Sequence, residues 1–377
     1  MSAPGLARTA VGCMTGTSID ALDAALVELR GSGLGLRVSV RATASWALGP
    51  LGDDLRRAAS GQPAPAGFFA SLSRRFGEFH AERLGAWLDA LSGAPDLVCV
   101  HGQTVFHAPP DSWQLIDASP IVRRVGAPTV FDLRRADLSC GGQGAPITPI
   151  ADWVLFRDDR SARAVVNLGG FCNITRLGAG GGPETVRGSD VCACNQVLDA
   201  IARSGLGAPF DEGGRAASSG SPHEGASSEL GAVLGAQRAG RRSLGTGDEA
   251  GRWVERWGGS LRAADLAASA CAAIGREIGG AIGACDEALL GGGGVRNRAL
   301  VGAIASAAPG VRVRTTDELG VPAPFRESVA MAVLGALCAD GVAITLPAVT
   351  GVAEPAPIAG VWAGLEHFVC TPSVQTR

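Results

Sequence analysis

The 377-residue chain is longer than an ordinary domain of about 100–200 residues, so we expect two domains. Because 46% of its residues are hydrophobic and 18% are charged, it can bury a large core, and global disorder is excluded. The net charge of −3 and the absence of a basic stripe argue against nucleic acid as a partner.

Two residue types are missing from the chain, since it contains neither lysine nor tyrosine. A Schiff-base lysine, a P-loop lysine and a tyrosine acid are therefore excluded. The 10 cysteines form no C-x-x-C pair or zinc spacing, and we interpret them as free thiols of a reducing cytosol. The N-terminus lacks a signal-peptide pattern and no apolar stretch reaches about 18 residues, so we expect a soluble, cytoplasmic protein with no membrane association.

In chain order, the first half of the sequence alternates strands with helices. RTAVGCM predicts a first strand, ALDAALVEL fits a strand or a short helix, and LRVSVRATASW alternates like a strand. FFASLSRRFGEFHAERLGAWLDALS has helical spacing and ends before Gly93 and Pro95. DLVCV and PTVFDL follow as short buried strands.

The second half continues this alternation. SARAVVNLGGFCNITRL predicts two strands joined by Gly169 and Gly170, while residues 178–182 and 212–225 have the composition of Gly/Ser-rich loops. AADLAASACAAIGREIGGAIGAC is the strongest predicted helix, and EALLGGGG is a strand that enters a glycine turn. VRNRALVGAIASA and RESVAMAVLGALCADG predict two further helices. We find no solenoid repeat, and the alternation indicates the α/β class.

Residues 16–23, GTSIDALD, place a glycine turn and small hydroxyl residues beside two acids. The amides of a tight glycine turn can cradle phosphate oxygens, and Thr17 and Ser18 can add hydroxyl donors. Asp20 can reach a metal-bound water, because Mg²⁺ commonly takes one or two carboxylates together with substrate phosphates. An ordinary hairpin turn with an Asx cap explains the same letters, so this motif alone leaves both interpretations open.

Two later glycine turns also follow predicted strands. In NLGGFCNIT (167–175) the paired glycines allow a ligand to approach the backbone, or form a simple hairpin. In LGGGGVRN (290–297) the glycines can pack against a base or sugar, or form a flexible turn. Two glycine hairpins for phosphates and a later turn for adenosine are together the pattern of the actin-like ATPase superfamily, which needs no P-loop lysine.

Seven segments in a fixed order resemble the anhydro-N-acetylmuramic acid kinase family, from residue 12 to about residue 352. They are GCMTGTSIDALD, HGQTVFH (101–107), FDLRRADLSCGGQGAP (131–146), NLGGFCNIT, GGGGVRN, TDELGVPAPFRES (316–328) and LPAVTG (346–351). The resemblance implies an α/β fold with two actin-like ATPase-fold domains that close over an ATP and sugar cleft.

The resemblance also implies how the chain is divided. Residues 1–160 would carry the first phosphate hairpin and the sugar loops. Residues 161–377 would carry the second hairpin, the catalytic aspartate and the adenosine turn, with the last segment packing back on the first domain. The implied cofactors are ATP and Mg²⁺, the implied partner is a small sugar, and a homodimer is a further hypothesis.

The family's reaction opens the 1,6-anhydro ring of anhydro-N-acetylmuramate by attack of water on the anomeric carbon, and phosphorylates O6 from ATP. The products are N-acetylmuramate 6-phosphate and ADP, in peptidoglycan recycling. The resemblance implies an ATP site at Gly16, Thr17, Ser18, Ile19, Asp20, Ala21, Leu22, Asp23, Asn167, Gly169, Gly170, Gly292, Gly293, Gly294 and Asn297, with Asp20 reaching the metal through water.

The family's water-activating aspartate lies in a G-F-D-T-G-P-G-N motif, and the matching stretch here is GSDVCACN, residues 188–195. Gly188, Asp190 and Asn195 match, whereas the other five positions differ. We assign the role of general base to Asp190, with a solvated loop acid as the alternative. Because two glycines and a proline are replaced, different backbone angles are favoured in this segment, which we expect to be a loop.

The remaining matches concern the sugar. Arg134, Asp137 and Gln143 are placed for the sugar and its lactyl carboxylate, for which arginine is the natural partner. Glu327 matches a family glutamate that faces the sugar, although a helix N-terminus favours an acid in any case. We interpret His101 as an orienting or packing residue, because a metal site with His107 lacks a third ligand. Gln103, Thr104 and Asn173 complete the predicted sugar site.

Three hypotheses remain open at this point. The first is the anhydro-sugar kinase just described. The second is an actin-fold kinase of another small sugar, because the altered GSDVCACN can change the acceptor. The stretch RRSLGTGDEAG (241–251) also departs from the family's lysine-rich version. The third is a catalytically weak ATP-binding homologue that kept the fold and lost the chemistry.

Overall fold

The computed structural model describes residues 7–16, 18–240, 244, 250–356 and 359–364. Most of the stretch RRSLGTGDEAG (241–251) lies outside these residues. Its strands are β1 Arg8–Thr15, β2 Ala21–Arg30, β3 Arg37–Ala47, β4 Leu97–Val100, β5 Gln103–Ala108, β6 Asp111–Leu115, β7 Thr129–Phe131, β8 Arg163–Leu168, β9 Phe171–Leu177, β10 Arg187–Ala193, β11 Glu287–Gly291, β12 Arg312–Thr315 and β13 Val361–Ala363. Its α-helices are α1 Pro50–Ala59, α2 Ala66–Ala90, α3 Ser119–Val125, α4 Arg135–Ser139, α5 Pro149–Phe156, α6 Asn195–Ile201, α7 Arg215–Ser219, α8 Glu224–Ala239, α9 Gly251–Gly258, α10 Ala263–Ile282, α11 Arg298–Ala307, α12 Arg326–Ala339 and α13 Pro347–Thr350. The predicted α/β class is confirmed.

Two large sheets share one topology. The first has six strands in the order β13-β7-β4-β1-β2-β3, and the second has five in the order β10-β9-β8-β11-β12. In each sheet three consecutive strands form an antiparallel meander, and two later strands add in parallel beside the first of the three. This duplicated order is that of two actin-like ATPase units, as predicted.

Three hydrophobic clusters separate the layers of the molecule. One packs the outer face of the first sheet against α1, α2 and α3. A second joins the inner faces of both sheets through α5 and α12. The third packs the outer face of the second sheet against α6, α8, α10 and α11. The layers therefore run helices, sheet, helices, sheet, helices.

The helix α12 lies between the sheets because it is apolar on all sides, which favours burial on all sides. It touches β1 backbone to backbone: a Cβ on Gly12 would lie 2.0 Å from the Ser328 carbonyl oxygen and 2.3 Å from the Ala332 nitrogen. Beyond it, β13 pairs antiparallel with β7 in the first sheet. The division of the chain near residue 160 stays a prediction.

Three segments show what tertiary contacts decide. ALDAALVEL is a strand because it pairs with β1 on one side and β3 on the other. The predicted loop 212–225 contains α7, whose first amides, at Ala216 and Ala217, donate to the Asp211 carboxylate. GSDVCACN, expected to be a loop, contributes the end of β10, because its backbone pairs with β9. Within the described ranges, no helix is both long and apolar enough to cross a membrane.

Candidate active site

The first predicted phosphate hairpin connects β1 to β2. Its turn is closed by the Ile19 amide, which donates to the Gly16 carbonyl oxygen at 3.0 Å. Ser18 and Asp20 are exposed, whereas the side chains of Ile19 and Leu22 lie in the core. Ile19 and Leu22 can therefore offer only their backbone to a nucleotide.

The other predicted residues of this hairpin are placed as follows. Ala21 begins β2 opposite Ala47 of β3, and Asp23 lies opposite Ser45. Burial raises the pKa of Asp23, against the lowering effects of Ser45 and of the Arg296 charge. Arg296 belongs to the third glycine turn, so this turn and β2 face each other. Thr17 lies outside the described residues.

The second hairpin, between β8 and β9, is fixed to the start of α6. The Gly170 carbonyl oxygen accepts from the Cys194 amide at 2.9 Å, and the Gly169 carbonyl oxygen accepts from the Asn195 amide at 3.1 Å. Both glycines are partly exposed, which leaves this turn open to a ligand. Asn167, just before the turn, is buried, and its side-chain amide acts to lower the pKa of Glu327.

The third glycine turn packs directly on the second hairpin. Gly292 has a φ of 85°, and a Cβ there would lie 2.8 Å from the Leu168 carbonyl oxygen. A Cβ on Gly294 would lie 2.7 Å from the Leu168 Cβ. Gly293 is exposed and its Cβ would meet nothing within 4 Å, so it alone of these three faces open space.

Asn297 ends this turn as the N-cap of α11. Its side-chain oxygen accepts from the Leu300 amide at 3.0 Å. Capping side chains satisfy one of the free amides of a helix N-terminus. This contact accounts for an asparagine at position 297 without a nucleotide, and its predicted contact with ATP stays a prediction.

The predicted general base lies in a row of residues that crosses the second sheet. Asp190 of β10 is opposite Asn173 of β9, Asn173 is opposite Asn167 of β8, and Asn167 is opposite Gly291 of β11. Residues in register point to the same face of a sheet. Val191 packs into the core on the outer face, so Asp190 points inward and is half-buried. Its carboxylate accepts the Leu244 amide at 2.8 Å.

Arg134 connects this row to the loops of the first sheet. Burial lowers its pKa to about 10, while the negative charges of Asp190 and Glu327 act in the opposite direction. These three charged residues come from three distant parts of the chain, and both acids lie within electrostatic reach of Arg134. The predicted base and two predicted sugar ligands are therefore brought together.

His101 orients Arg134. The Arg134 Nε donates to the His101 Nε2 at 3.2 Å, so that nitrogen carries no proton and the ring is neutral. Burial and, secondarily, the Arg134 charge lower the pKa of His101 to about 3. The Arg134 Nη1 donates to the Gly144 carbonyl oxygen at 2.8 Å, which fixes the guanidinium from a second side.

The GGQGAP loop is held by Asp137. The buried Asp137 carboxylate accepts from the Gly144 amide at 2.7 Å and from the Thr350 hydroxyl at 2.8 Å. Both bonds join parts of the protein, so the structure gives this carboxylate a role in shaping the loop. Gln143 donates its backbone amide to the Thr350 carbonyl oxygen and is itself exposed. Sugar contacts of Asp137 and Gln143 stay predictions.

Gln103 and Thr104 begin β5, directly after His101. Gln103 is buried, and its side-chain nitrogen donates to the Thr104 carbonyl oxygen at 3.2 Å. Its side-chain oxygen has no hydrogen-bond partner within the described part of the chain, although it is buried. A buried unpaired acceptor is costly, so it marks a place where a ligand donor would be stabilised.

The sequence analysis missed a buried ion pair next to Glu327. Arg326, the preceding residue, is 1% exposed, and its Nε donates to the Asp152 carboxylate at 3.0 Å. The Thr175 hydroxyl of β9 donates to the same carboxylate at 2.7 Å. Burial raises the pKa of Glu327, whereas Arg326 and Asn167 lower it. The one signal of this ion pair in the sequence is the arginine of FRES, which directly precedes the predicted acid.

Asp199 of α6 is a second residue that the sequence analysis missed. Burial raises its pKa to about 6, with Arg203 lowering it and Asp20 of the first hairpin raising it further. An acid of the first hairpin and an acid of α6 therefore face the same region. No group of three or more His, Cys, Asp or Glu side chains suited to a metal occurs among the described residues. One or two carboxylates with phosphate oxygens suit Mg²⁺, so the residues present fit that ion.

Comparisons with known proteins agree in one family. A family model described as anhydro-N-acetylmuramic acid kinase matches residues 8–363. The protein named anhydro-N-acetylmuramic acid kinase in Salinibacter ruber is 35% identical, covering 93% of this chain and 95% of its own length. The protein of the same name in Gloeobacter violaceus is 36% identical, covering 93% and 98%.

Similar solved structures are more distant. The activator of 2-hydroxyisocaproyl-CoA dehydratase from Clostridium difficile, with bound ADPNP, is 12% identical with a TM-score of 0.44, covering 87% of this chain and 94% of that one. A ROK family glucokinase from Streptomyces griseus, in complex with glucose and AMPPNP, is 13% identical with a TM-score of 0.36, covering 87% and 99%.

Proposed function

The chain belongs to the anhydro-N-acetylmuramic acid kinase family, and on this basis we propose that it opens 1,6-anhydro-N-acetylmuramic acid with water and phosphorylates O6 from ATP. The products are N-acetylmuramate 6-phosphate and ADP. This reaction returns a cell-wall fragment to amino-sugar metabolism in peptidoglycan recycling.

One observation carries the proposal. Arg134, whose guanidinium is fixed by His101 and the Gly144 carbonyl oxygen, lies within reach of the negative charges of both Asp190 and Glu327, although the three residues come from different parts of the chain. Arginine recognises carboxylates with two parallel donors, which suits the lactyl group of the substrate. The reaction needs a carboxylate for the water and a cation for the substrate acid, and this group supplies both.

The steps of the reaction follow from the chemistry of the 1,6-anhydro bridge of the sugar. Asp190 takes a proton from water, the water oxygen bonds to C1, and the bond between C1 and the bridging oxygen breaks. The bridging oxygen stays on C6 with its electron pair and attacks the γ-phosphorus of ATP, and ADP leaves. The hairpin amides bind the phosphates, and alignment of O6 with the γ-phosphoryl group supplies much of the rate.

Mg²⁺ would be held next to the phosphates by Asp20, through water, with Asp199 facing it. When bound, the ion neutralises charge on the phosphoryl oxygens. The acidic charge of Asp20 and Asp199 favours a cation at this place, since it offsets their mutual repulsion.

The positions of the altered residues in GSDVCACN favour an unchanged sugar acceptor, although the sequence alone left a changed acceptor open. Val191, Cys192, Ala193 and Cys194 are all buried in the cluster on the outer face of the second sheet. Val191 and Cys192, which pairs with the buried Cys172, pack on the outer face, opposite to the face to which Asp190 points. Ser189 is the one altered residue of this stretch that is not buried, and it adjoins Asp190.

A single assay tests the proposal. Purified protein is given ATP, Mg²⁺ and 1,6-anhydro-N-acetylmuramic acid in ¹⁸O water, and ADP release and product mass are measured. We expect ADP release that depends on the sugar, with the label at C1 of the product and none in the phosphate. ADP release with glucose or N-acetylglucosamine but not the anhydro-sugar would favour another acceptor. Release that ignores every sugar would favour a weak ATPase.

A further inference from the structure

The first phosphate hairpin contains a strained residue. Ile19 has a φ of 54°, in the left-handed region where a β-branched side chain is a genuine outlier. Its side chain is 4% exposed and packs in the core with Leu22 and Leu48. Such a conformation persists only where its surroundings hold it in place, and it occurs most often at ligand sites.

The segment that holds it is the junction of β3 and α1. Arg56 Nη1 donates to the Ile19 carbonyl oxygen at 2.7 Å and to the Ser18 carbonyl oxygen at 3.4 Å. The Leu48 amide donates to the Asp20 carbonyl oxygen at 2.9 Å. Three consecutive carbonyl groups of the hairpin are therefore turned toward this junction.

Close approach of the helix is possible because residue 52 is a glycine. A Cβ on Gly52 would lie 2.9 Å from the Ile19 carbonyl oxygen and 3.5 Å from Arg56 Nη1. The other arm of the guanidinium, Nη2, donates to the Asp53 carboxylate at 2.6 Å. Arg56 is thereby anchored on its own helix while it binds the hairpin.

The direction of a carbonyl sets the direction of an amide. In a trans peptide the C=O and N–H groups point to opposite sides. Because the Ile19 carbonyl points to Arg56, the Asp20 amide points away from α1, out of the turn. We propose that Arg56 is a positioning residue that holds this amide toward the phosphates of a bound nucleotide.

Arg56 also supplies charge in a chain without lysine. Its Nη1 lies 3.5 Å from the Asp20 carboxylate oxygen, so it offsets part of the negative charge that nucleotide phosphates would meet. The effect on phosphates is indirect, through the backbone and Asp20. This inference rests on the proposed function, because it names the group that prepares the proposed ATP site.

The test compares two neighbouring arginines. Arg57, the next residue, lies over the Phe68 ring at 5.0 Å and donates to no atom of the hairpin in the described structure, so Arg57→Gln is a matched control for Arg56→Gln. Calorimetry with Mg²⁺ and a non-hydrolysable ATP analogue should show affinity about three- to tenfold weaker in Arg56→Gln, since a half-exposed, charge-assisted contact is lost. Arg56→Lys, which keeps a charged donor, should recover part of the loss.

Two further measurements, of KM values and of hydrogen exchange, distinguish a positioning role of Arg56 from a general loss of structure. The KM for the sugar should be unchanged in Arg56→Gln while the KM for ATP rises. Without any ligand, hydrogen exchange of a peptide covering residues 16–22 should be faster in Arg56→Gln and unchanged in Arg57→Gln. Unchanged exchange, or an equal loss of affinity in both variants, would overturn the proposal. If the wild-type chain fails to bind the analogue, the proposed function fails, whereas the exchange result still decides the role of Arg56.

Discussion

The role of Asp190 can be tested with a small change. Its backbone is held by pairing with β9, so a substitution changes only the side chain that faces the site. Asp190→Asn keeps the size and hydrogen bonding but cannot take a proton from water. Ring opening should slow by at least about 10²-fold, and phosphorylation should fall with it, because O6 is not free before the ring opens. Rates are measured by coupled ADP release.

The control variant is Glu184→Gln, an exposed acid just before the same strand, which should leave turnover unchanged. Calorimetry should show that Asp190→Asn still binds ATP, since the phosphates are held by other residues. Wild-type turnover in Asp190→Asn would remove the role of general base from this residue.

His80 gives a prediction about pH. Its Nδ1 donates to the Phe76 carbonyl oxygen at 2.8 Å, the ring is fully buried, and burial lowers its pKa to about 4. The unfolded chain, with a pKa near 6.5, binds the proton first. Stability from neutral His80 is therefore complete above about pH 6.5 and is lost as the pH falls toward 4.

Between pH 7 and pH 5 this linkage should cost the wild-type protein about 2 kcal/mol of unfolding free energy. His80→Gln has no such proton, so its unfolding free energy should fall less over the same interval. Urea unfolding at both pH values measures the difference, and other titrating groups cancel between the two proteins. Equal pH dependence in both would show that folded His80 takes up the proton as readily as the unfolded chain does.

At the scale of elements, two glycines of the third glycine turn should have different roles, one in ATP binding and one in stability. Gly293 faces open space, so Gly293→Leu should weaken ATP binding by about tenfold or more through contact with the nucleotide while the melting temperature hardly changes. Gly292→Ala should instead lower stability, because its φ of 85° and the 2.8 Å approach of the Leu168 carbonyl oxygen leave no room for a Cβ. Calorimetry and thermal unfolding of both variants are the measurements.

An unchanged ATP affinity in Gly293→Leu would show that adenosine lies elsewhere. Gly292 and Gly293 also show what cannot be predicted from the sequence. LGGGGVRN predicted a ligand turn, but its letters do not say which glycine faces the ligand and which faces Leu168. That choice depends on a second hairpin more than a hundred residues earlier in the chain.

Other elements divide in the same way. Regular apolar spacing was enough to predict α2, α10 and α12, because helix patterns are local. The pairing of β10 with β9 and the double pairing of ALDAALVEL depend on strands elsewhere, and no local pattern encodes them. Likewise Asp137 and Asn297 have letters suited to ligands, yet their oxygens accept from Thr350 and Leu300.

At the scale of the whole molecule, one buried ion pair joins the two helices that lie between the sheets and links them to the second sheet. Asp152 of α5 is fully buried between Arg326 of α12 and Thr175 of β9. Removing one partner of a buried pair leaves an uncompensated charge, so Asp152→Asn should lower the free energy of unfolding by about 3–5 kcal/mol. Urea unfolding followed by tryptophan fluorescence measures it.

The matched control is an exposed pair, Arg74 with Glu78 on α2. Glu78→Gln should change the free energy of unfolding by less than about 1 kcal/mol, because solvent screens such pairs. A similarly small effect of Asp152→Asn would mean that water reaches Arg326 and that the pair does not hold α5 and α12 together. Glu327 should lose its position with the pair, so residual folded Asp152→Asn should also show a raised KM for the sugar.

The contact of Gly12 with α12 has a consequence for biosynthesis. β1 leaves the ribosome long before the helix that covers its inner face, which begins at Arg326, and before β13 of the same sheet, which ends at Ala363. Synthesis of the roughly 200 residues between β7 and α12 takes on the order of 10–40 s at ordinary translation rates. During that time the second sheet can be completed, while the first exposes an apolar face to solvent. Nascent chains stalled before α12 should therefore recruit holding chaperones, and these chaperones should be released once α12 and β13 have emerged.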